Sequence, residues 1–362
     1  MDAENITSQK TILIEPKLNR KKSSFGKPVV WLQLIVFLLG LGLLFYVSYS
    51  VGFKTLGETL SRIGWGFLLI VALNGVRHLL RSLCMYLVVP PQHRLFKFRQ
   101  AVAARLGGEA VSFITFSGPL LGEATKAALL KGNMPFLQSS AAIIVDNILY
   151  YISVILIVLS GVGVMTAAFS NDASMKTALL AVTVMCVLGF IGLFLMLWFR
   201  IKPVGFVIRR LMRRDILPKF LDRKKEIIFE LEHNVYEFYL HHRATFFAVF
   251  GINLMAHALS IAEVYFVLKM LGFDSSLTIA FIIESLTKVI NLSFSFIPGA
   301  VGVYEGGNGV ILHTLGYATA VGVALALVRR GAILFWTFIG LLILLWRTVL
   351  HGKQRLTKKT SE

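Results

Sequence analysis

Residues 291–312 read NLSFSFIPGAVGVYEGGNGVIL. The stretch begins apolar, breaks at Pro298-Gly299, and then carries the glycines Gly299, Gly302, Gly306, Gly307 and Gly309 around one carboxylate, Glu305. Apolar sequence continues on both sides, so this is not the pattern of a surface loop. Inside a bilayer, a broken backbone is tolerated only where protein or a watery cavity covers it. An ionisable residue at that depth marks a candidate functional site. The plainer reading is a Gly-rich turn between two helices, with Glu305 at the lipid–water boundary.

The surrounding chain supports the membrane setting. It has 362 residues, 56% of them hydrophobic, with a mean hydropathy of +0.73. Soluble domains are about 45–50% apolar, and here the excess is gathered into long uncharged runs. The expectation is an all-α, polytopic membrane protein. The formal charge of +18 would suggest nucleic acid in a soluble protein. In a membrane protein, basic residues set topology and meet anionic headgroups, so no nucleic-acid partner is expected. Cys84 and Cys186 both lie in apolar runs and suggest neither a disulfide framework nor a metal site.

Residues 1–28 are polar and basic and read as a retained cytoplasmic tail. Residues 29–51 give a first, uncharged span. Residues 64–89 give a second, which contains Arg77, His78 and Arg81; the two arginines are four apart and share a face. Either they face a partner or a cavity, or they snorkel to the boundary. The basic connection after Pro90 is expected on the cytoplasmic side. Residues 97–131 are too interrupted for one clean span. They break at Gly118-Pro119, reach Gly122-Glu123, and end with Lys126 and Lys131, which suggests a re-entrant hairpin. An interfacial pair of amphipathic helices is the competing reading.

Residues 139–163 and 177–199 read as spans, the first carrying Asp146. Residues 200–243 hold eleven Lys/Arg against six Asp/Glu, so this loop should be cytoplasmic. Within it, Leu221, Ile227, Ile228, Leu231, Val235 and Phe238 recur at helical spacing, suggesting an amphipathic helix on the membrane face. His233, His241 and His242 lack companions at a metal-binding spacing. Residues 244–270 span and carry Glu263. Residues 277–315 hold the opening motif as a second re-entrant hairpin. The apolar run 316–350 is long for one span, and a break near Arg330-Gly331 is expected. Residues 351–362 read as a cytoplasmic tail. With residues 29–350 as one transmembrane domain and both termini inside, six to eight crossings and two re-entrant hairpins are expected.

The two broken segments resemble each other. Arg105 and Glu109 lie fourteen and ten residues before Pro119; Glu284 and Lys288 lie at the same offsets before Pro298, with signs exchanged. Each pair is spaced to join on one helix face, and exchanging Glu284 with Lys288 should be milder than losing Glu284. The first hairpin should open inward and the second outward. Such an inverted repeat is common in secondary transporters, which bind substrate between the repeats.

At these residues the sequence also resembles the lysylphosphatidylglycerol synthase transmembrane-region family, the flippase-like integral membrane proteins. The resemblance rests on Gly118-Pro119-x-x-Gly122-Glu123, on Pro298-Gly299-x-x-Gly302-x-x-Glu305, and on Arg329 before an aromatic-rich final helix. It covers about residues 30 to 350. Family members typically carry an Arg shortly after the first Glu; Lys126 stands near that place here. The resemblance implies a stand-alone member without the aminoacyl-transferase domain, acting on lipid in a cell (inner) membrane.

The leading expectation is a flippase-like transporter moving a phospholipid or lipid-linked anionic substrate between leaflets. Arg77, Arg81, Lys126, Lys288, Arg329 and Arg330 are candidates to neutralise a phosphate, and half-helices after Pro119 and Pro298 to add partial positive charge. Pro298, Gly299 and Gly302 shape the second break. Glu123 and Glu305 are candidates to pair with these cations or carry coupling protons; for Glu305 the pairing partner would be Arg329 or Arg330. The alternatives are a scaffold for envelope lipid or glycan synthesis and a lipid-modifying enzyme using Glu123 or Glu305 as a base. No nucleotide-binding or metal motif speaks for a cofactor. Homo-oligomerisation is open.

The charge pattern makes a topological prediction. Single cysteines placed in residues 205–240 should be labelled only from the cytoplasm. Labelling from outside intact cells would overturn both the topology and the inverted repeat.

Overall fold

The computed structural model describes residues 61–89, 94–115, 118–130, 136–169, 173–198, 203–214 and 225–359, with Tyr49, Lys54, Glu58, Pro91 and Asp222. The expected tail 1–28 and first span 29–51 lie outside this set, apart from Tyr49. Eleven α-helices are described. They are α1 (Gly66–Val88), α2 (Phe98–Ile114), α3 (Gly118–Leu130), α4 (Phe136–Phe169), α5 (Ala173–Trp198) and α6 (Pro203–Met212). There follow α7 (Lys225–His241), α8 (Arg243–Met270), α9 (Leu277–Ser293), α10 (Val303–Thr314) and α11 (Thr319–Lys359). A short 3-10 turn, Pro298–Ala300, lies between α9 and α10. The protein is an all-helical, polytopic membrane protein. Among the described residues, four segments are long and apolar enough to cross: Gly66–Val88, Leu137–Ala168, Arg243–Met270 and Thr319–Trp346.

Both broken segments form helical hairpins. In the first, the α2 backbone at Gly108 lies against Gly122 and Lys126 of α3, while Gly122 faces Ser112, so the arms run antiparallel. Glycine is needed there because a Cβ on Gly122 would meet the Gly108 carbonyl oxygen at 2.8 Å. In the second, α9 and α10 are likewise antiparallel: Gly307 faces Ile290, and Thr287 Oγ1 donates to Asn308 Oδ1 at 3.0 Å. Ser276 caps α9, its side chain accepting from Ile279 N at 3.2 Å.

One expectation is corrected. No break occurs near Arg330-Gly331; α11 runs unbroken for 41 residues. At about 1.5 Å per residue it is roughly 60 Å long, about twice the hydrocarbon thickness. Its excess length continues as helix through residues 351–359, the described part of the expected tail. Gly331 has the bland role of letting the Phe67 ring approach.

Among the described residues of 200–243 there are two helices, α6 and α7. Helix α7 turns Val235 and Phe238 into an apolar core shared with α4, so it docks on the bundle as well as presenting exposed Ile227. The more amphipathic helix is α6. It exposes Val204, Phe206 and Val207, buries Ile208, and has its first amides capped by Glu232, which accepts from Val204 N at 2.8 Å and Gly205 N at 3.0 Å.

The described residues form two apolar cores. One gathers Ile70, Val158, Val162, Val264, Leu268, Ile283, Leu312 and Leu325. The other gathers Cys84, Met85, Val88, Ala101, Leu130, Val145, Leu149 and Val249. Helices α1, α4 and α8 each run from one core to the other, and each carries polar residues between them: Asn74 to Arg81, Asp146 to Ser153, and Asn253 to Glu263. The interior is therefore a charged belt between two oily caps.

Close packing at the top of α11 is testable. A Cβ on Gly322 would run into the backbone carbonyl of Asn308, whereas one on Gly251 meets nothing within 4 Å. Gly322→Ala should destabilise the protein by roughly 1–3 kcal/mol, read as a lower melting temperature in detergent. Gly251→Ala should leave it unchanged or slightly higher; equal effects would contradict the packing.

Candidate functional site

Helix α1 supplies a stripe of four polar residues, Asn74, Arg77, His78 and Arg81, spaced so that all fall on one face. Arg77 lies eleven residues into a helix of 23, about 17 Å from its start and so near mid-depth. At that depth a cation needs a partner, and each arginine has one.

Two ladders of alternating charge run through the belt. In the first, Arg77 Nη1 donates to Ser260 Oγ at 2.6 Å and lies 3.3 Å from Glu263 Oε2. Glu263 Oε1 accepts from Arg329 Nε at 3.2 Å. Arg329 Nη2 lies 2.8 Å from Glu284 Oε2, off the line of a hydrogen bond, and Lys288 Nζ lies 2.8 Å from Glu284 Oε1. In the second, Asp146 holds both Arg81, at 3.4 Å, and Arg105, at 3.2 Å. Arg105 continues to Glu109 at 3.1 Å, Glu109 to Lys126 at 2.9 Å, and Lys126 to Glu123 at 3.0 Å. Arg81 also donates to Asn253 and stacks over the Tyr150 ring at 4.1 Å.

A third pair holds the second break. Arg330 Nε pairs with Glu305 Oε1, while its Nη1 and Nη2 donate to the carbonyls of Gly299 at 3.0 Å and Ala300 at 3.4 Å. Glu305 Oε2 accepts from Gly302 N at 2.8 Å, so the carboxylate also caps α10. Gly299, Ala300 and Gly302 all have positive φ, at 56°, 48° and 79°. Glycine suits two of these positions; Ala300 is held in a strained conformation at its carbonyl by Arg330. The partner of Glu305 is thus Arg330, and Arg329 belongs to the first ladder.

The ladders enclose a cavity of about 440 Å³ between the two hairpins. Arg105, Glu109, Ser112, Phe113, Pro119 and Glu123 line it from the first; Glu284, Lys288, Asn291, Gly299, Ala300 and Tyr304 line it from the second. The two breaks meet where the Phe113 ring packs on Gly299. Of the residues singled out in the sequence, Arg77, Arg81, Pro119, Glu123, Gly299, Arg329 and Arg330 line the cavity. Lys126, Glu305 and Gly302 lie behind its wall, Lys126 2% and Glu305 0% exposed, and Pro298 opens the turn that forms it. Six cations line the space: Arg77, Arg81, Arg105, Lys288, Arg329 and Arg330, against three carboxylates, Glu109, Glu123 and Glu284.

The sequence reading missed Asn74, Asn253, His257 and Ser260. His257 accepts or donates to Ser153 Oγ at 3.0 Å and stacks on Tyr150. The available signal was spacing: Asn253, His257, Ser260 and Glu263 recur every three or four residues in an apolar helix, as does the α1 stripe.

The sequence pattern of the family described as "Lysylphosphatidylglycerol synthase TM region" matches residues 30–340. The chain belongs to this family. No curated protein and no solved structure matches it. Membership makes it a membrane protein of lipid-related processes.

Both expected pairs, Arg105/Glu109 and Glu284/Lys288, form. The exchange of Glu284 with Lys288 is not a clean test of that pair, because a lysine at position 284 would face Arg329; Glu109 and Arg105 likewise each hold a second partner. The informative substitution is Asp146→Ala, which takes a carboxylate from two buried arginines at once and leaves Arg81 without one, while Arg105 keeps Glu109. It should cost roughly 3–5 kcal/mol. The control Asp222→Ala removes an exposed pair with Lys225 and should cost about 0–1 kcal/mol. Thermal unfolding in detergent measures both, and similar values would mean that water already solvates Asp146.

Proposed function

We propose that the protein moves a phospholipid or lipid-linked anionic substrate between leaflets, without changing it covalently. The observation that carries this reading is the cavity between the two broken hairpins, with six lining cations against three carboxylates. An anionic headgroup entering it would meet a surplus of donors, several of them arginine forks suited to phosphate. The mouth suits the rest of a lipid: Leu120, Leu292 and Phe296 beside the breaks are all exposed, leaving an apolar path for acyl chains.

Hairpin dimensions support re-entrance. Arms of 13 and 12 residues, α3 and α10, reach only about 18–20 Å, short of the roughly 30 Å hydrocarbon core. The matched offsets of the two charge pairs before Pro119 and Pro298 support an inverted repeat around the cavity. Glu305, fully buried with both carboxylate oxygens occupied, fits the counter-ion role better than that of a titrating carrier.

Reconstitution of the pure protein in liposomes tests the reading. A fluorescent anionic phospholipid should equilibrate between leaflets. Arg77→Gln removes a partly exposed cavity cation and should slow this about 10- to 100-fold, the worth of one charge-assisted hydrogen bond. Lys269→Gln, at an exposed pair with Asp274, should leave the rate unchanged. Lipid that stays in its leaflet defeats the proposal; covalently altered lipid would make the protein an enzyme, and neither change would favour a scaffold.

A further inference from the structure

Helix α6 carries an amphipathic pattern that the bundle covers only in part. Val204, Val207, Ile208 and Leu211 recur at helical spacing and share one face. Ile208 is buried at 1% exposure, yet Val204 and Val207 on the same face remain 49% and 53% exposed. Phe206, 57% exposed, shares a second face with Arg209 and Arg210, three and four residues further on. Arg213 and Arg214 follow directly, so residues 203–214 hold four arginines and no carboxylate. All four arginines are exposed.

The place of α6 in the fold says what covers it. Helix α7 docks through Val235 and Phe238 in the core that also holds Val88 and Val89, at the end of α1, and Ala141 and Ala142, near the start of α4. The span Gly66–Val88 finishes at this level, the span Leu137–Ala168 begins there, and α7 ends at His241, two residues before the span Arg243–Met270. Ends of spans mark the boundary between hydrocarbon and headgroups. Helix α6 is fastened to α7 beside that boundary: Glu232 caps its first amides, Gly205 packs on Phe229, and the Arg209 guanidinium lies 5.4 Å from the Phe229 ring centroid. The α7 carboxylates do not take up the arginines. Glu232 is spent on the cap and Glu237 pairs with His241, while Glu226 and Glu230 are exposed and, among the described residues, form no ion pair with α6.

We propose that α6 is an interfacial lipid site separate from the cavity. It lies in the headgroup layer with Val204 and Val207 at the acyl boundary, and Arg209, Arg210, Arg213 and Arg214 bind the phosphates of anionic lipids in the adjoining leaflet. A helix of this kind is held by its buried apolar area together with attraction to anionic lipid. Arginine forks on a surface helix meet whichever phosphate arrives, so the site responds to negative charge and not to headgroup structure. The site neither uses the cavity nor requires translocation, and it stands or falls independently of the transport reading.

Hydrogen exchange of the full chain in nanodiscs, read by mass spectrometry on the peptide covering residues 203–214, tests this. The discs are phosphatidylcholine alone, or phosphatidylcholine mixed with phosphatidylserine or with phosphatidylmethanol, both of which carry one net negative charge. The α6 amides should exchange on the order of tenfold more slowly in either anionic disc, as one or two arginines at an anionic surface provide. Helix α7 should exchange alike in all three. The protection should shrink as salt is raised. It should vanish in the combined variant Arg209→Gln, Arg210→Gln, Arg213→Gln and Arg214→Gln, which keeps helix propensity. Equal exchange of the wild-type α6 in all discs would overturn the inference whether or not the variant folds, and would leave this face to a protein partner or a second copy of the chain. Protection that survives the four substitutions would overturn it too, as would protection by phosphatidylserine that phosphatidylmethanol does not reproduce, because a headgroup and not a charge would then be read.

Discussion

A charge within hydrocarbon must find an opposite charge, and the architecture follows from that constraint. Seven cations and six carboxylates of the belt are joined in two ladders and one separate pair. Seven of these ten links join different helices: α1 to α8, α8 to α11, α11 to α9, α1 to α4, α4 to α2, α2 to α3, and α11 to α10. The apolar caps are interchangeable with lipid tails in their chemistry, so they do little to specify which helices become neighbours. The ladders do specify it, because an arginine out of register would lose its carboxylate. They also make the interior cationic by one charge and leave the lining of the cavity more cationic still, since several of the carboxylates stand behind the wall.

Much of this was legible in the sequence. The broken motifs announced themselves through Pro119 and Pro298 with the glycines after them, because few other residues end a helix within an apolar run. The pairs Arg105/Glu109 and Glu284/Lys288 could be read because both partners lie on one helix, four residues apart. Hydropathy gave the four described spans around 64–89, 139–163, 244–270 and 316–350, while 177–199 holds a helix whose apolar stretch, Leu179–Gly192, is shorter than a span and 29–51 lies outside the described residues apart from Tyr49; the family resemblance agreed with the match over residues 30–340.

What could not be read is what depends on two helices meeting. Asp146, Glu263 and Arg329 were visible as charges in apolar runs, but spacing along one helix carries no information about partners roughly 40 to 190 residues away. The same limit explains the assignment of Glu305, for which Arg329 and Arg330 were equally plausible until the rotation of α11 was known. The expected break at Arg330-Gly331 failed for a related reason. A run too long for one span invites a break at its charged pair when no partners are visible, and Arg329 and Arg330 become ordinary interior residues once Glu263, Glu284 and Glu305 approach.

Adjacency of Arg329 and Arg330 has a mechanical consequence. Successive residues on a helix point about 100° apart, so α11 faces two structures at once: Arg329 reaches the ladder through Glu263 and Glu284, and Arg330 holds the carbonyls of Gly299 and Ala300 with Glu305. A rigid, unbroken α11 makes these attachments move together. A shift of that helix large enough to release Arg330 from the break would also pull Arg329 along the ladder, through Glu284 to Lys288, which lines the cavity with Asn291 and Leu292. The geometry of the second break and the electrostatics of the cavity are therefore one variable rather than two, tied by a single helix that the sequence alone would have cut in half.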